Sequence, residues 1–492
     1  MFVDRSRRER NPIAEARRVA KSARLPAQAF RRLSWGVADQ AVSSLTNAAV
    51  SVYVARTLGA VQFGAFSLAY LTYSFALNAS RGLSTDPLMV RFSDTDVITW
   101  RRAVARSTGT ATVVGVATGV CVLAVAILLD GTTRLAFVAL GLTLPGLLLQ
   151  DSWRFAFFAL GRGVLAFIND AVWALILFPS LILLHAIGYA NVFWFVLAWG
   201  GAAAVGAAVG PLQALVLPKV SGAWGWLVQH RDLGPRYLAI GTAGSSAGQL
   251  RGYGVGFLLG LAAVGYVGAA STITGPLNIL FLGMGLVATP EAARILSRSP
   301  HRLGLFCLLL SSALAVAGLA WGAVLLIALP KGVGAWLLGA IWRPTYPLVI
   351  PQTLSIVAAG ASVGAGAGLG ALGAARRSLR AVTLASGAYV ILAMIGAFAG
   401  GAVGTVYGAA VATWLGTALL WWQLRAALRE YGPSPSSPGK ATGQHRKSLT
   451  LDEHPAVGRP CAADVQKPGI GLVESPTATL PLPRFPYIEP RK

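Results

Sequence analysis

The stretch GTAGSSAGQLRGYGVGFLLGLAA, residues 241–263, is long enough to cross a membrane and carries Gln249 and Arg251 near its middle. An arginine at a bilayer centre costs at least about 2.5 kcal/mol, so it faces protein or a water-filled cavity. Arg251 is therefore a functional-site candidate, provided the rest of the chain supplies a membrane domain and a cavity.

The 492 residues are 55% hydrophobic and only 12% charged, about half the charged share of a soluble domain. Apolar stretches of twenty or more recur from Leu33 to Trp422, the pattern of an all-α polytopic membrane protein. Spans are expected at roughly 33–56, 60–81, 103–129, 135–160, 164–187 and 191–217. A second set follows at roughly 237–262, 264–288, 303–329, 345–372, 379–400 and 402–428. These make about twelve transmembrane helices in two six-helix lobes, 33–218 and 237–430, joined by a linker at 219–236. No secretory signal peptide is visible in the basic segment 1–32. The segment 431–492 is rich in Pro and polar residues and reads as a disordered tail.

The net charge of +23 would suit nucleic acid, but the basic residues sit in the termini and in alternate loops. Placing the N-terminus inside puts Arg91, Arg101, Arg102, Arg162, Arg236, Arg294 and Arg376 on one side, with Arg56, Arg134, Lys331 and Arg343 opposite. Both termini are then cytoplasmic, and the basic rim lies on anionic inner-leaflet lipid rather than nucleic acid. The three cysteines and five histidines form no metal or disulfide pattern.

An internal parallel repeat is expected between the lobes. GAFS (64–67) recurs as GAAS (268–271), Thr85 matches Thr289 at the same offset of 204, and FALGRG (158–163) resembles GALGAA (370–375). Transporters built this way bind substrate in a central cavity between the halves. At that offset Arg251 stands opposite Asn47.

Polar residues fall on helical faces. Asp39, Ser43 and Asn47 recur every four residues, and Ser67, Tyr70, Ser74, Asn78 and Arg81 follow steps of three and four. Such stripes line a wet cavity or bond one helix to the next. On a regular helix Gln249 and Arg251 point in nearly opposite directions. Asp39, Ser43, Asn47, Asn78, Arg81, Gln249 and Arg251 are the candidate substrate-binding residues. Asp151 and Arg154, three residues apart, form an ion pair or a proton-coupling site, with Asp39 the second candidate for ion coupling.

Other motifs carry less. GLGALG (368–373) fits GxGxxG but lies in an apolar span, no GxxxxGK[ST] occurs, and DTD (94–96) is a short acidic turn. No catalytic residue, metal site or cofactor is expected, so transport would draw on an ion gradient or the membrane potential.

At RRLSWGVADQAVSSLTNAAVSVYVARTLGAVQFGAFSLAY (31–70) the chain resembles the polysaccharide or O-antigen flippases. These form a branch of the multidrug/oligosaccharidyl-lipid/polysaccharide (MOP) exporter superfamily. Ala55, Arg56, Leu58, Gly59, Phe63 and Gly64 occupy the family's A-R-x-L-G-x-x-x-[FY]-G pattern, and ALGR at 159–162 also fits. The resemblance implies a flippase that moves an undecaprenyl-pyrophosphate-linked oligosaccharide across the cytoplasmic (inner) membrane by alternating access. Its partners would be that lipid-linked oligosaccharide, membrane lipids, and the glycan polymerase and glycosyltransferases of the same pathway. Arg251 would contact the pyrophosphate or an acidic sugar, since a guanidinium binds such oxygens bidentately. A multidrug or cation antiporter of the same superfamily is the alternative, with Asp39 as its carboxylate. A membrane glycan polymerase or ligase is disfavoured by the short outer loops.

Overall fold

The computed structural model describes residues 12–93 and 95–431, and every regular element among them is helical. The first rod breaks at Gly59 (φ 75°, ψ 174°) into α1 (12–58) and α2 (60–80). α2 continues through a π-helical turn, Arg81–Thr85, into Asp86–Phe92. Then come α3 (Val97–Ile127), α4 (Gly131–Ala159), α5 (Gly163–Ala186) and α6 (Val192–Ala214). A short linker helix, Ala223–Gln229, leads to α7 (Gly234–Leu259), α8 (Leu261–Arg298), α9 (Leu303–Ala328) and α10 (Val349–Ala371). The last rod breaks at Gly400 and Gly401 into α11 (375–399) and α12 (402–431).

Among the described residues nine of these rods are long and apolar enough to cross a membrane. Splitting two of them at their glycine breaks gives eleven, and α7 is the twelfth. It is 26 residues long, but its Gly, Ser and Thr residues, with Gln249 and Arg251, dilute its hydropathy. The chain is a multi-pass membrane protein of twelve helices in two lobes. Residues 1–11 and 432–492, with the first third of the basic segment and nearly all of the proposed tail, lie outside the described residues.

The lobes repeat the same packing. The α4–α6 pair recurs as α10–α12: Trp153 of α4 donates to Ala207 O of α6, and, with the tryptophan on the other helix of the pair, Trp421 of α12 donates to Ala361 O of α10. The match of FALGRG with GALGAA marks equivalent caps. Arg162 N donates to Phe157 O and Ala374 N to Leu369 O, each around a glycine at positive φ (Gly161 71°, Gly373 65°).

The register at the front of each lobe differs from the sequence expectation. Gly260 turns α7 into α8 with φ 81° and ψ 175°, nearly the geometry of Gly59, and only glycine adopts it readily. Five residues on, Gly64 packs on the carbonyl of Leu261 and Gly265 packs on the carbonyl of Ala60, a reciprocal contact across a local two-fold. Equivalent residues are therefore 201 apart, not 204. Arg251 corresponds to Val50, and Asn47 to Gly248. The GAFS/GAAS match aligned small residues that are common throughout this chain, three positions out of register.

A side chain at either glycine would strike backbone. Gly64→Val should cost roughly 1–3 kcal/mol of stability, the usual range for overpacking, and Gly265→Val the same. Thermal unfolding of the purified protein checks this; a wild-type midpoint for both variants would contradict the reciprocal contact.

α2 and α7 meet along their whole length. Thr72 Oγ1 and Tyr253 Oη are 2.7 Å apart, Asn78 Nδ2 donates to Ser245 Oγ at 3.0 Å, and Gly82 packs on the backbone of Leu238. At the Gly59 end, the Arg56 guanidinium lies 5.8 Å over the Trp336 ring, so the lobes touch there as well.

Candidate functional site

Between the lobes lies a cavity of ≈ 900 Å³, walled by α1, α2, α4, α7 and α8. Of the seven candidate substrate-binding residues, Ser43, Asn47, Arg81, Gln249 and Arg251 line it, as do Asp151 and Arg154 of the candidate ion pair. Two do not. Asp39 is fully buried behind Arg154, and Asn78 is spent on its bond to Ser245 across the α2–α7 seam. Both stand on the predicted polar faces, but each face is wider than the cavity it borders.

The hydroxyls of the stripes mostly bond backward along their own helices. Ser51 donates to Asn47 O, Ser67 to Phe63 O and Ser74 to Tyr70 O, while Asn47 Nδ2 donates to Ser43 O. The wall is thus polar yet internally satisfied, and it presents oxygen acceptors and an aromatic face at Tyr70 to whatever enters.

The charges sort by lobe. Arg154 Nη2 donates to Asp39 Oδ2 at 2.6 Å and Nη1 to Asp151 Oδ1 at 3.3 Å. Its Nε lies 3.1 Å from Asp170 Oδ2 without the N–H aimed at it, so that contact is Coulombic only. Asp170 Oδ1 instead accepts from Gln150 Nε2 at 2.8 Å. Asp151 is also held by Arg81, through Nε at 2.8 Å and Nη2 at 2.6 Å. Asp151 and Arg154 therefore do form an ion pair, inside a larger network that joins α1, α2, α4 and α5. Three carboxylates share two guanidinium groups, and Asp39 Oδ1 is buried without a partner.

Arg251 is different. Among the described residues it forms no ion pair; its guanidinium lies 5.3 Å over the Tyr389 ring of α11 and its Nε is buried without an acceptor. Gln249 is buried, and its Nε2 also lacks an acceptor. A helix sets positions 249 and 251 about 200° apart, yet both long side chains reach the cavity wall. Two N–H donors on one helix, unanswered and with no carboxylate beside them among the described residues, suit a ligand that brings its own acceptor oxygens.

Sequence reasoning missed Tyr389, a single aromatic in an apolar span with nothing to mark it. It also missed the bond from Arg154 to Asp39, 115 residues away. In the DTD turn, Asp96 caps α3 by accepting from the N–H groups of Ile98 and Thr99, a helix-start role. Asp94 lies outside the described residues. Among the described residues no His, Cys, Asp and Glu gather into a metal-holding cluster.

No protein-family model matches the sequence, and no curated protein matches it. Solved structures do match. The chain is similar to an inward-facing multidrug resistance MATE family transporter of the MOP superfamily, with TM-score 0.66 and 16% identity over 80% of this chain and 99% of that one. It is also similar to the lipid II flippase MurJ in an inward closed conformation, with TM-score 0.58 and 11% identity over 80% and 87%. A third match is the eukaryotic MATE transporter AtDTX14, with TM-score 0.54 and 14% identity over 82% and 98%. All three are transporters or flippases. At these identities the likeness is one of fold, and the chain has the twelve-helix, two-lobe fold of MOP-superfamily transporters.

Proposed function

We propose that the protein is a flippase that moves an undecaprenyl-pyrophosphate-linked oligosaccharide across the cytoplasmic membrane by alternating access. The observation that carries this is Arg251, a guanidinium in the cavity wall with no carboxylate partner among the described residues. The pyrophosphate supplies the acceptor oxygens that Arg251 and Gln249 lack, and a planar guanidinium takes two of them at once. Arg81 adds a second cation. Two of its nitrogens hold Asp151, while its half-buried side chain still faces the cavity. The sugars meet the serines and Asn47 of α1 and α2. With both termini cytoplasmic, the basic linker end lies on the inner leaflet, where the lipid-linked glycan is made. Asp39, Asp151 and Asp170 with Arg154 and Arg81 are the place for ion coupling, since their formal charges leave one carboxylate in excess.

The second proposal is a multidrug or cation antiporter, favoured by those same three carboxylates. Arg154 and Arg81 already neutralise most of their charge, so an organic cation gains less there than an anion gains at Arg251. Ligand-induced thermal stabilisation separates the two. A ligand that binds only the folded state at 100 times its Kd adds about 2.7 kcal/mol. Undecaprenyl pyrophosphate is expected to raise the midpoint of the purified protein and ethidium to leave it unchanged. Stabilisation by ethidium alone would select the antiporter.

A further inference from the structure

Arg81 begins the π-helical turn, and the reason for that turn lies six residues on. In a regular helix the carbonyl of Leu83 would accept from the N–H of residue 87, but residue 87 is proline and has none. The helix widens instead, with Asp86 N donating to Arg81 O over five residues. Pro87 thus offers the carbonyl of Leu83 no N–H, and the indole Nε1 of Trp226 donates to it at 3.2 Å from the linker helix.

Trp226 is fixed from several sides. It is buried among Leu88, Trp100, Trp153 and Phe157 of the first lobe. The His230 ring lies 4.0 Å from it, tilted by 38°, and bonds back to Trp226 O through Nδ1 at 2.8 Å. Burial, helped by the Arg91 charge, lowers the His230 pKa below the ordinary imidazole value, so the ring sits neutral against Trp226. Arg91 then ties the α2 extension to the linker, donating to Gln229 O and to Asp232 Oδ2 at 2.6 Å.

We propose that the inter-lobe linker is a latch on the first lobe, and that Trp226 is a positioning residue that sets Arg81 for the anionic group through the carbonyl of Leu83. The linker runs from α6 to α7, so it joins the lobes that must move relative to each other in transport, and it grips the turn that carries a cavity guanidinium. Movement of α7 relative to the first lobe thereby reaches Arg81 directly. The proposal rests on Arg81 facing the anion in the flippase site.

The test measures binding of undecaprenyl pyrophosphate, with uncharged undecaprenol as control, to the full-length protein in detergent. The variants are Trp226→Phe, which keeps the ring and removes the N–H, Arg81→Gln, and the double variant. Trp226→Phe should weaken pyrophosphate binding about fivefold, the worth of one hydrogen bond. It should leave undecaprenol binding unchanged and add nothing to the loss in Arg81→Gln, as expected of coupled residues. Pro87→Ala restores the missing N–H and should give the same selective loss with Trp226 in place, which keeps the test decisive if Trp226→Phe fails to fold.

Equal losses for both lipids, or additive losses in the double variant, would show Trp226 to be structural and overturn the latch. Wild-type affinity in Trp226→Phe and Pro87→Ala, beside weakened binding in Arg81→Gln, would overturn the latch alone. Wild-type affinity in Arg81→Gln would remove Arg81 from the anion site and overturn the proposal through its premise. Failure of the wild-type protein itself to bind undecaprenyl pyrophosphate would sink the flippase proposal and the latch together.

Discussion

Arg154→Ala leaves Asp39, Asp151 and Asp170 without the guanidinium they share, and the expected result is a steep loss of folded protein. All four side chains are buried, with Arg154 at 8% exposure and the carboxylates at 3% or less. Removing one partner from a buried charge group typically costs roughly 3–5 kcal/mol, because the remaining charges lose their compensation. Here three carboxylates are affected at once. Asp151 keeps Arg81, but Asp39 keeps no ion-pair partner among the described residues and Asp170 keeps only Gln150. Membrane abundance and the monodisperse fraction after extraction measure the loss. Adding Asp39→Asn to Arg154→Ala should recover part of the yield, since it removes a stranded charge. Wild-type abundance in Arg154→Ala would mean the network does not hold the first lobe together.

Arg251→Ala should behave in the opposite way. Among the described residues no carboxylate depends on Arg251, so folded protein should stay close to wild type. The anionic group, however, loses a charge-assisted contact of about 1.5–3 kcal/mol, and glycan export per molecule should fall roughly ten- to a hundredfold. Arg251→Lys should keep part of the activity, because a point charge replaces a planar fork. Tyr389→Leu should fall between them, since it removes the ring beneath the guanidinium but not its charge. Quantitative immunoblotting beside an export assay reads both sides. A drop in abundance matching the drop in export would make Arg251 a structural arginine.

Much of this fold is written in local pattern. The spans α3 to α6 and α9 to α10 are apolar runs, and hydrocarbon leaves a helix as the way to satisfy their backbones. α7 was legible for the opposite reason, because Gln249 and Arg251 make it too polar for lipid and mark it as a helix of the lobe seam. The repeat was visible but misregistered. LGAVQFG (58–64) and LGLAAVG (259–265) carry it, since the glycines that turn the chain and touch across the two-fold are the constrained positions. GAFS and GAAS share only small residues, which this chain has everywhere.

The site was harder to read. Periodicity places a residue on a face but not at a depth, so it puts Asp39 on the cavity face although the side chain lies behind Arg154. Nor does periodicity report partners. The bonds that tie Arg154 to Asp39 and Trp226 to Leu83 span 115 and 143 residues, and they exist only because packing brings α1 to α4 and the linker to the π turn. Pro87 was in plain view, yet the carbonyl it strands has meaning only once Trp226 stands beside it.

Transport by the purified protein decides whether Arg251 is the anion contact. Wild type, Arg251→Ala and Arg251→Lys are reconstituted into liposomes at equal protein density, and the transfer of a fluorescent undecaprenyl-pyrophosphate-linked oligosaccharide between leaflets is followed per molecule. The predicted order is wild type, then Arg251→Lys, with Arg251→Ala roughly ten- to a hundredfold below wild type. Transfer by Arg251→Ala at the wild-type rate would contradict the assignment of Arg251 to the substrate.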